Sequence, residues 1–206
     1  MTSKLIPELL CTRCLRYFSK WEHLEKDVNI KFSLPNLRRH QKHCNLLFKN
    51  PIFDSGSLRV YCIAPNTSQK ERVQCGHIAE TMWRSEEVPG DLIGWYATKK
   101  LNTDPGYAFV PVLESKVTGL AIVRNHKVHS SSKNSSTEIE PGQNWCAEKI
   151  WIHEPYRRNH IATKMMHSIA NYFHHRISDL WFLGPFTDCG EALVRSLSPR
   201  NAKVLE

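Results

Sequence analysis

The sequence predicts an α+β fold, a central mixed but mostly antiparallel sheet flanked by helices, with a small metal-binding module in front of it. Three observations predict it. Short segments rich in β-branched and aromatic residues follow one another from Ser57 to Lys127 with brief breaks between them. The stretch CAEKIWIHEPYRRNHIA, from Cys146 to Ala162, reads as a strand, a basic turn and the start of a helix. Cys11, Cys14, His40 and Cys44 place two pairs of metal-ligand side chains in the first fifty residues.

Cys11 and Cys14 have knuckle spacing, and twenty-five residues separate Cys14 from His40. The spacing of four between His40 and Cys44 suits one face of a helix, and Leu37 and Phe18 supply apolar contacts. A segment this short cannot bury enough surface by itself, so bound zinc would provide most of its folding energy. His23 and His43 are alternative ligands. A finger over residues 1–50 is therefore expected, with a boundary near Lys49-Asn50-Pro51 and the larger domain over 51–206. The charge supports that division: residues 1–50 hold ten Lys or Arg against four Asp or Glu, while the whole chain carries +8. A basic first quarter suits DNA, RNA or an acidic protein as partner.

Residues 57–64, SLRVYCIA, read as a strand, and 77–86 as a helix that Gly76 limits on its N-terminal side. Ile93 to Thr98, Tyr107 to Glu114 and Val117 to Lys127 read as consecutive antiparallel strands. The serine-rich stretch at about 129–144 has no periodicity and is expected to be a disordered loop. From Ala162, Met165, Met166, Ile169, Ala170 and Phe173 recur at helical spacing. Leu180 to Leu183 makes a short buried strand, followed by a helix over about 191–198 and a last strand near 202–205.

No run of eighteen apolar residues occurs, and the N-terminus has no long apolar stretch, so neither a membrane span nor a secretory signal is expected. Seven cysteines, an odd number, without an export signal read as reduced thiols or metal ligands. A soluble intracellular protein follows.

The turn Arg157-Arg158-Asn159-His160-Ile161-Ala162 suits an anion, because successive backbone N–H groups at a helix N-terminus can cradle phosphates. It resembles the coenzyme A turn of the GNAT acetyltransferases. The longer run Ile150-Trp151-Ile152, four residues, then Arg157-Arg158-x-x-Ile161-Ala162, resembles the cohesin acetyltransferases, which establish sister-chromatid cohesion and also carry an N-terminal zinc finger. Lys70-Glu71-Arg72-Val73 is similar to a segment that follows that family's finger. The resemblance implies a GNAT acyltransferase fold, acetyl-CoA and Zn2+ as cofactors, a nuclear location, and protein-lysine acetylation on a cohesin ATPase subunit. Chromatin or the replication machinery, and DNA through the basic finger, are the further partners expected, and no membrane.

On that resemblance, Arg157, Arg158, Asn159, His160, Ile161, Ala162 and Thr163 hold the phosphates, and a backbone N–H within Lys149, Ile150, Trp151 or Ile152 polarises the thioester carbonyl. The proton-removing groups depart from the family's pattern. The family has an acidic residue in the helix after the turn, where this chain has His167, and an S-D-P-T-P-D-G segment, where this chain reads Leu183-Gly184-Pro185-Phe186-Thr187-Asp188-Cys189-Gly190. Gly184 replaces the first aspartate and Asp188 matches the second. His167, Asp188 and Glu148 are the catalytic candidates, with helix capping as the other reading of Asp188. The family's serine before Ile-Trp is also replaced, by Glu148-Lys149. A degenerate GNAT acting as a chromatin-associated zinc-finger binding protein is the alternative function.

Overall fold

The computed structural model describes residues 9–18, 30–86, 106–126, 144–184, 186–198 and 202–205. Helix α1 spans Ile30–His43, strand β1 Phe53–Asp54, β2 Leu58–Ile63, α2 Gln69–Glu86, β3 Tyr107–Leu113, β4 Lys116–Val117 and β5 Gly119–Asn125. Then follow β6 Trp145–Ile152, α3 Ile161–Tyr172, β7 Trp181–Leu183, α4 Asp188–Leu197 and β8 Lys203–Leu205. The expected strand at 93–98, His23 and nearly all of the serine-rich stretch lie outside the described residues.

The eight strands form one sheet in the order β1-β2-β3-β5-β6-β7-β8, with β4 paired to β3. Pairing is antiparallel from β1 to β6 and parallel from β6 through β7 to β8. Hairpin chemistry explains the first part: Glu114 and Ser115, both at positive φ, turn β3 into β4 within two residues. Thr118 then donates its N–H and its hydroxyl to the Pro111 carbonyl, and the pairing with β3 slips by one residue between β4 and β5. The parallel part needs crossovers, which α3 and α4 supply.

Alternation along β5 sorts the core into two layers. Leu120 and Ile122 pack with Cys75, Ile78, Ala79 and Met82 of α2; Ala121 and Val123 pack with Met165, Met166 and Ile169 of α3 and with Val194 and Leu197 of α4. The N-terminal segment joins the α2 layer: Leu9, Leu10, Leu15, Tyr17 and Phe48 belong to the same cluster. Polar contacts reinforce the junction. Val117 N–H donates to Arg13 carbonyl at 2.8 Å, the Thr81 hydroxyl donates to the Leu15 carbonyl, and the Arg84 guanidinium lies 5.0 Å above the Tyr17 ring.

Helix α2 begins eight residues before the expected start at 77. Ser68 and Glu71 cap it, the serine hydroxyl donating to the Glu71 carboxylate at 2.6 Å and accepting from the Glu71 N–H at 3.4 Å. The helix runs through Gly76 because Cys75, Ile78, Ala79 and Met82 bury against the sheet, which outweighs the roughly 1 kcal/mol propensity cost of one glycine.

Candidate functional site

Strand β6 pairs with β7 only at Cys146↔Trp181 and Ala147↔Phe182. From Glu148 to Ile152 it keeps β5 on one side, and among the described residues no strand borders the other. The two parallel strands thus open into a cleft with a free backbone edge, where N–H groups can meet a carbonyl oxygen. The far end of β6 is pinned: Gly119 pairs with Ile152, and a Cβ there would sit 2.3 Å from the Trp151 carbonyl oxygen.

From the cleft the chain passes through a 3-10 turn, Glu154–Tyr156, into the basic turn and α3. Arg158 (φ 67°) and His160 (φ 55°) both adopt the left-handed conformation. Alternating backbone of this kind turns successive N–H groups to one side and makes an anion-binding concavity. His160 is also the N-cap residue of α3, and no side chain caps the helix. The first backbone bond of the helix is Lys164 N–H to His160 carbonyl, so the N–H groups of Ile161, Ala162 and Thr163 remain to be satisfied from outside. The two arginines differ in task. Arg157 Nε donates to the Ile152 carbonyl at 2.9 Å and braces the turn against β6, whereas exposed Arg158 reaches across to Cys189 Sγ at 3.7 Å, at the N-terminus of α4. The turn and the α4 N-terminus therefore face each other across the cleft mouth. Ile161 is buried and anchors α3; Trp151 and Ile152 bury their side chains on opposite faces of the sheet and offer the cleft backbone only. The Trp151 indole N–H is buried without a hydrogen-bond partner among the described residues.

The three catalytic candidates occupy different places. His167 is exposed on α3, on the side away from the residues that bury against the sheet. Asp188 is exposed in the first turn of α4, where the capping is done by Thr187, whose hydroxyl accepts from Gly190 N–H at 3.2 Å. Glu148 sits at a bulge: Ile122 pairs with Lys149 and Val123 with Ala147, which leaves Glu148 as the extra residue on β6. Its Oε2 pairs with Arg124, and its Oε1 lies 2.7 Å from His126 Nε2. The Cys146 thiol beside it is pushed up to about 12, by burial first and then by the Glu148 charge, and stays protonated. His126 and Arg124 were not legible from spacing, because they reach Glu148 from a neighbouring strand.

Neither a protein-family model nor a curated protein matches the sequence. The xEco2 acetyltransferase domain bound to a K105–CoA conjugate superposes with a TM-score of 0.58 at 15% identity, covering 76% of this chain and 96% of that one. Another structure of that domain gives 0.55 at 13% identity, covering 76% and 95%. The chain has the GNAT acyltransferase fold. A more distant GNAT neighbour, an aminoglycoside acetyltransferase from an uncultured soil metagenomic sample in complex with trehalose, gives 0.50 at 13% identity over 74% and 95% of the two chains.

Ahead of the GNAT sheet, Cys11, Cys14, His40 and Cys44 converge, their ligand atoms all within 4.8 Å of one another. Cys11 and Cys14 flank a tight turn held by Cys11 N–H to Arg16 carbonyl and Leu15 N–H to Cys11 carbonyl, both 2.9 Å, with Leu15 at φ 57°. His40 comes from the last turn of α1 and Cys44 from just beyond it. The Cys11 and Cys44 sulfurs are 3.8 Å apart, the spacing that two Zn–S bonds of about 2.3 Å give in a tetrahedron. Leu37 is buried in this cluster, with Phe18 packed against it, as the spacing predicts. His43 is exposed and outside the set. The thiols fit a cation. The Cys11 thiol is pushed down to about 4, chiefly by its hydrogen bond with Cys14; Cys14 is pushed up, first by that bond and then by burial. Cys44 is pushed up by burial and then by the Cys11 charge, and a divalent ion would relieve that repulsion.

Proposed function

We propose that this protein is an acetyl-CoA-dependent lysine N-acetyltransferase related in function to the cohesin acetyltransferases, acting in the nucleus on a cohesin ATPase subunit. The observation that carries the acyl-transfer reading is the cleft. A free β6 edge leads directly into a left-handed basic turn and an uncapped helix N-terminus, so one ligand with a pyrophosphate at one end and a thioester at the other meets donors along its length. Support also comes from the likeness to the xEco2 domain and its CoA conjugate. The substrate rests on the Ile150–Ala162 resemblance together with the Cys3His cluster ahead of the sheet.

In this reading the N–H groups of Ile161, Ala162 and Thr163 and the charge of Arg158 hold the phosphates. Asn159, exposed in the turn, lies beside them. A backbone N–H between Lys149 and Ile152 holds the acyl oxygen. The zinc finger positions α2 and presents basic α1 to chromatin. Labelled acetyl-CoA incubated with a cohesin-head fragment is expected to label a lysine of that fragment. Coenzyme A binding without transfer would replace this reading by the second one, a chromatin-associated binding protein on a GNAT scaffold, which the altered acidic positions at His167 and Gly184 favour.

A further inference from the structure

A lysine acceptor arrives as an ammonium ion, and near pH 7 only about one in 2,500 is neutral. Some group must take the proton. Glu148 is placed at the head of the cleft, at the bulge where β7 leaves β6, but both of its oxygens are engaged, one by Arg124 and one by His126. Protonating it would break an ion pair whose members are 17% and 11% exposed.

We infer that His126 is the general base, with Glu148 and Arg124 as its positioning residues. The inference rests on the acetyl-CoA reading above. An ionised carboxylate only accepts hydrogen bonds, so the 2.7 Å contact makes His126 Nε2 the donor and leaves Nδ1 with its lone pair free. Nδ1 has no hydrogen-bond partner among the described residues, and the imidazole is 36% exposed, open to an incoming amine. The groups facing it are Glu148 from β6 and, through Glu148, Arg124 from β5; neighbouring Cys146 stays a neutral thiol. His126 itself is held at the end of β5 by its N–H donating to the Asn144 carbonyl at 3.0 Å. The arrangement divides labour as a hydrolase triad does, a carboxylate fixing the tautomer and steadying the imidazolium that forms.

The step balances. The ammonium proton passes to Nδ1; the freed amine lone pair attacks the thioester carbon; the carbon–sulfur bond breaks as the amide forms. The second proton that the attacking nitrogen sheds as the amide forms passes to the departing thiolate, giving coenzyme A, and His126 releases the first to solvent.

The protein is tested with labelled acetyl-CoA and poly-L-lysine, alongside calorimetric coenzyme A binding. His126→Gln is expected to bind coenzyme A as the parent does and to lose on the order of 100-fold in kcat near pH 7. The loss should shrink toward pH 10, where the acceptor no longer needs a base, a recovery that a merely structural role would not produce. Glu148→Gln, which keeps an acceptor but removes the charge, should fall between. His126→Gln turnover equal to the parent's at neutral pH overturns the proposal, as does a loss that is the same at every pH. Coenzyme A binding by the parent with no transfer also overturns it and leaves the cofactor reading standing. Absence of coenzyme A binding would instead sink that reading and this inference together.

Discussion

The two faces of the sheet are built by different rules. On the α3 face, the proposed phosphate cradle is a continuous piece of chain, Ile150 to Thr163, whose order of strand, turn and helix already positions its donors. On the α2 face, the comparable features are assembled from distant residues: Arg124 and His126 meet Glu148 across strands, and Leu15 and Tyr17 of the N-terminal segment meet Thr81 and Arg84 of α2. Contiguous sites can keep working while their sequence drifts, because the backbone does the binding. Assembled sites depend on register, and one bulge at Glu148 decides what its side chain can touch.

Removing the metal proposed for the Cys3His cluster should have the largest effect and bears on the α2 face first. Because Leu9, Leu15 and Tyr17 share a core with α2 and β5, chelation is expected to lower Tm for the whole chain by ~10 °C or more, in one transition. Two separate transitions in calorimetry, the later one unmoved, would mean that the finger and the sheet do not melt as a unit.

The cradle is tested at His160, where a left-handed conformation costs a non-glycine residue roughly 1 kcal/mol. His160→Gly should leave acetyl-CoA affinity within about twofold of the parent and shift unfolding free energy by no more than about 1 kcal/mol, while His160→Val should weaken both. Loss of binding in the glycine variant would assign the anion to the imidazole and not to the backbone.

A smaller effect compares the faces by pH. Burial, with Arg16 and His40 adding to it, pushes His77 on α2 down to about 4; burial and Arg157 push His153 beside the cradle below the ordinary histidine value. In both cases the unfolded chain binds the proton more readily. The stability that each neutral imidazole contributes is therefore full above about pH 6.5 and is lost as pH falls below it, for His77 as pH approaches about 4. Denaturant titrations should show that slope reduced in His77→Gln, and reduced less in His153→Gln.

The same contrast explains what was legible in the sequence. The cradle and α3 follow local chemistry, and the two cysteines of the knuckle, His40 and Cys44 announce themselves by residue type and spacing. The start of α2 was also written locally, in Ser68-x-x-Glu71, but Gly76 masked the helix that follows, since tertiary burial and not propensity carries the chain through it. The left-handed turn at His160 shows no glycine. His126 carries no signal of its own, because its importance comes from a cross-strand register that no single-segment pattern contains.

In the proposed function the turn and the α3 N-terminus hold a pyrophosphate. Isothermal titration of acetyl-CoA into the parent and into Arg158→Glu tests it most directly, because Arg158 is exposed at the cleft mouth whereas Arg157 braces β6. Binding by the parent with at least about tenfold weaker binding by the variant, a difference of about 1.4 kcal/mol, is the expected result. Equal affinity in the two proteins, or no binding by the parent, would contradict it.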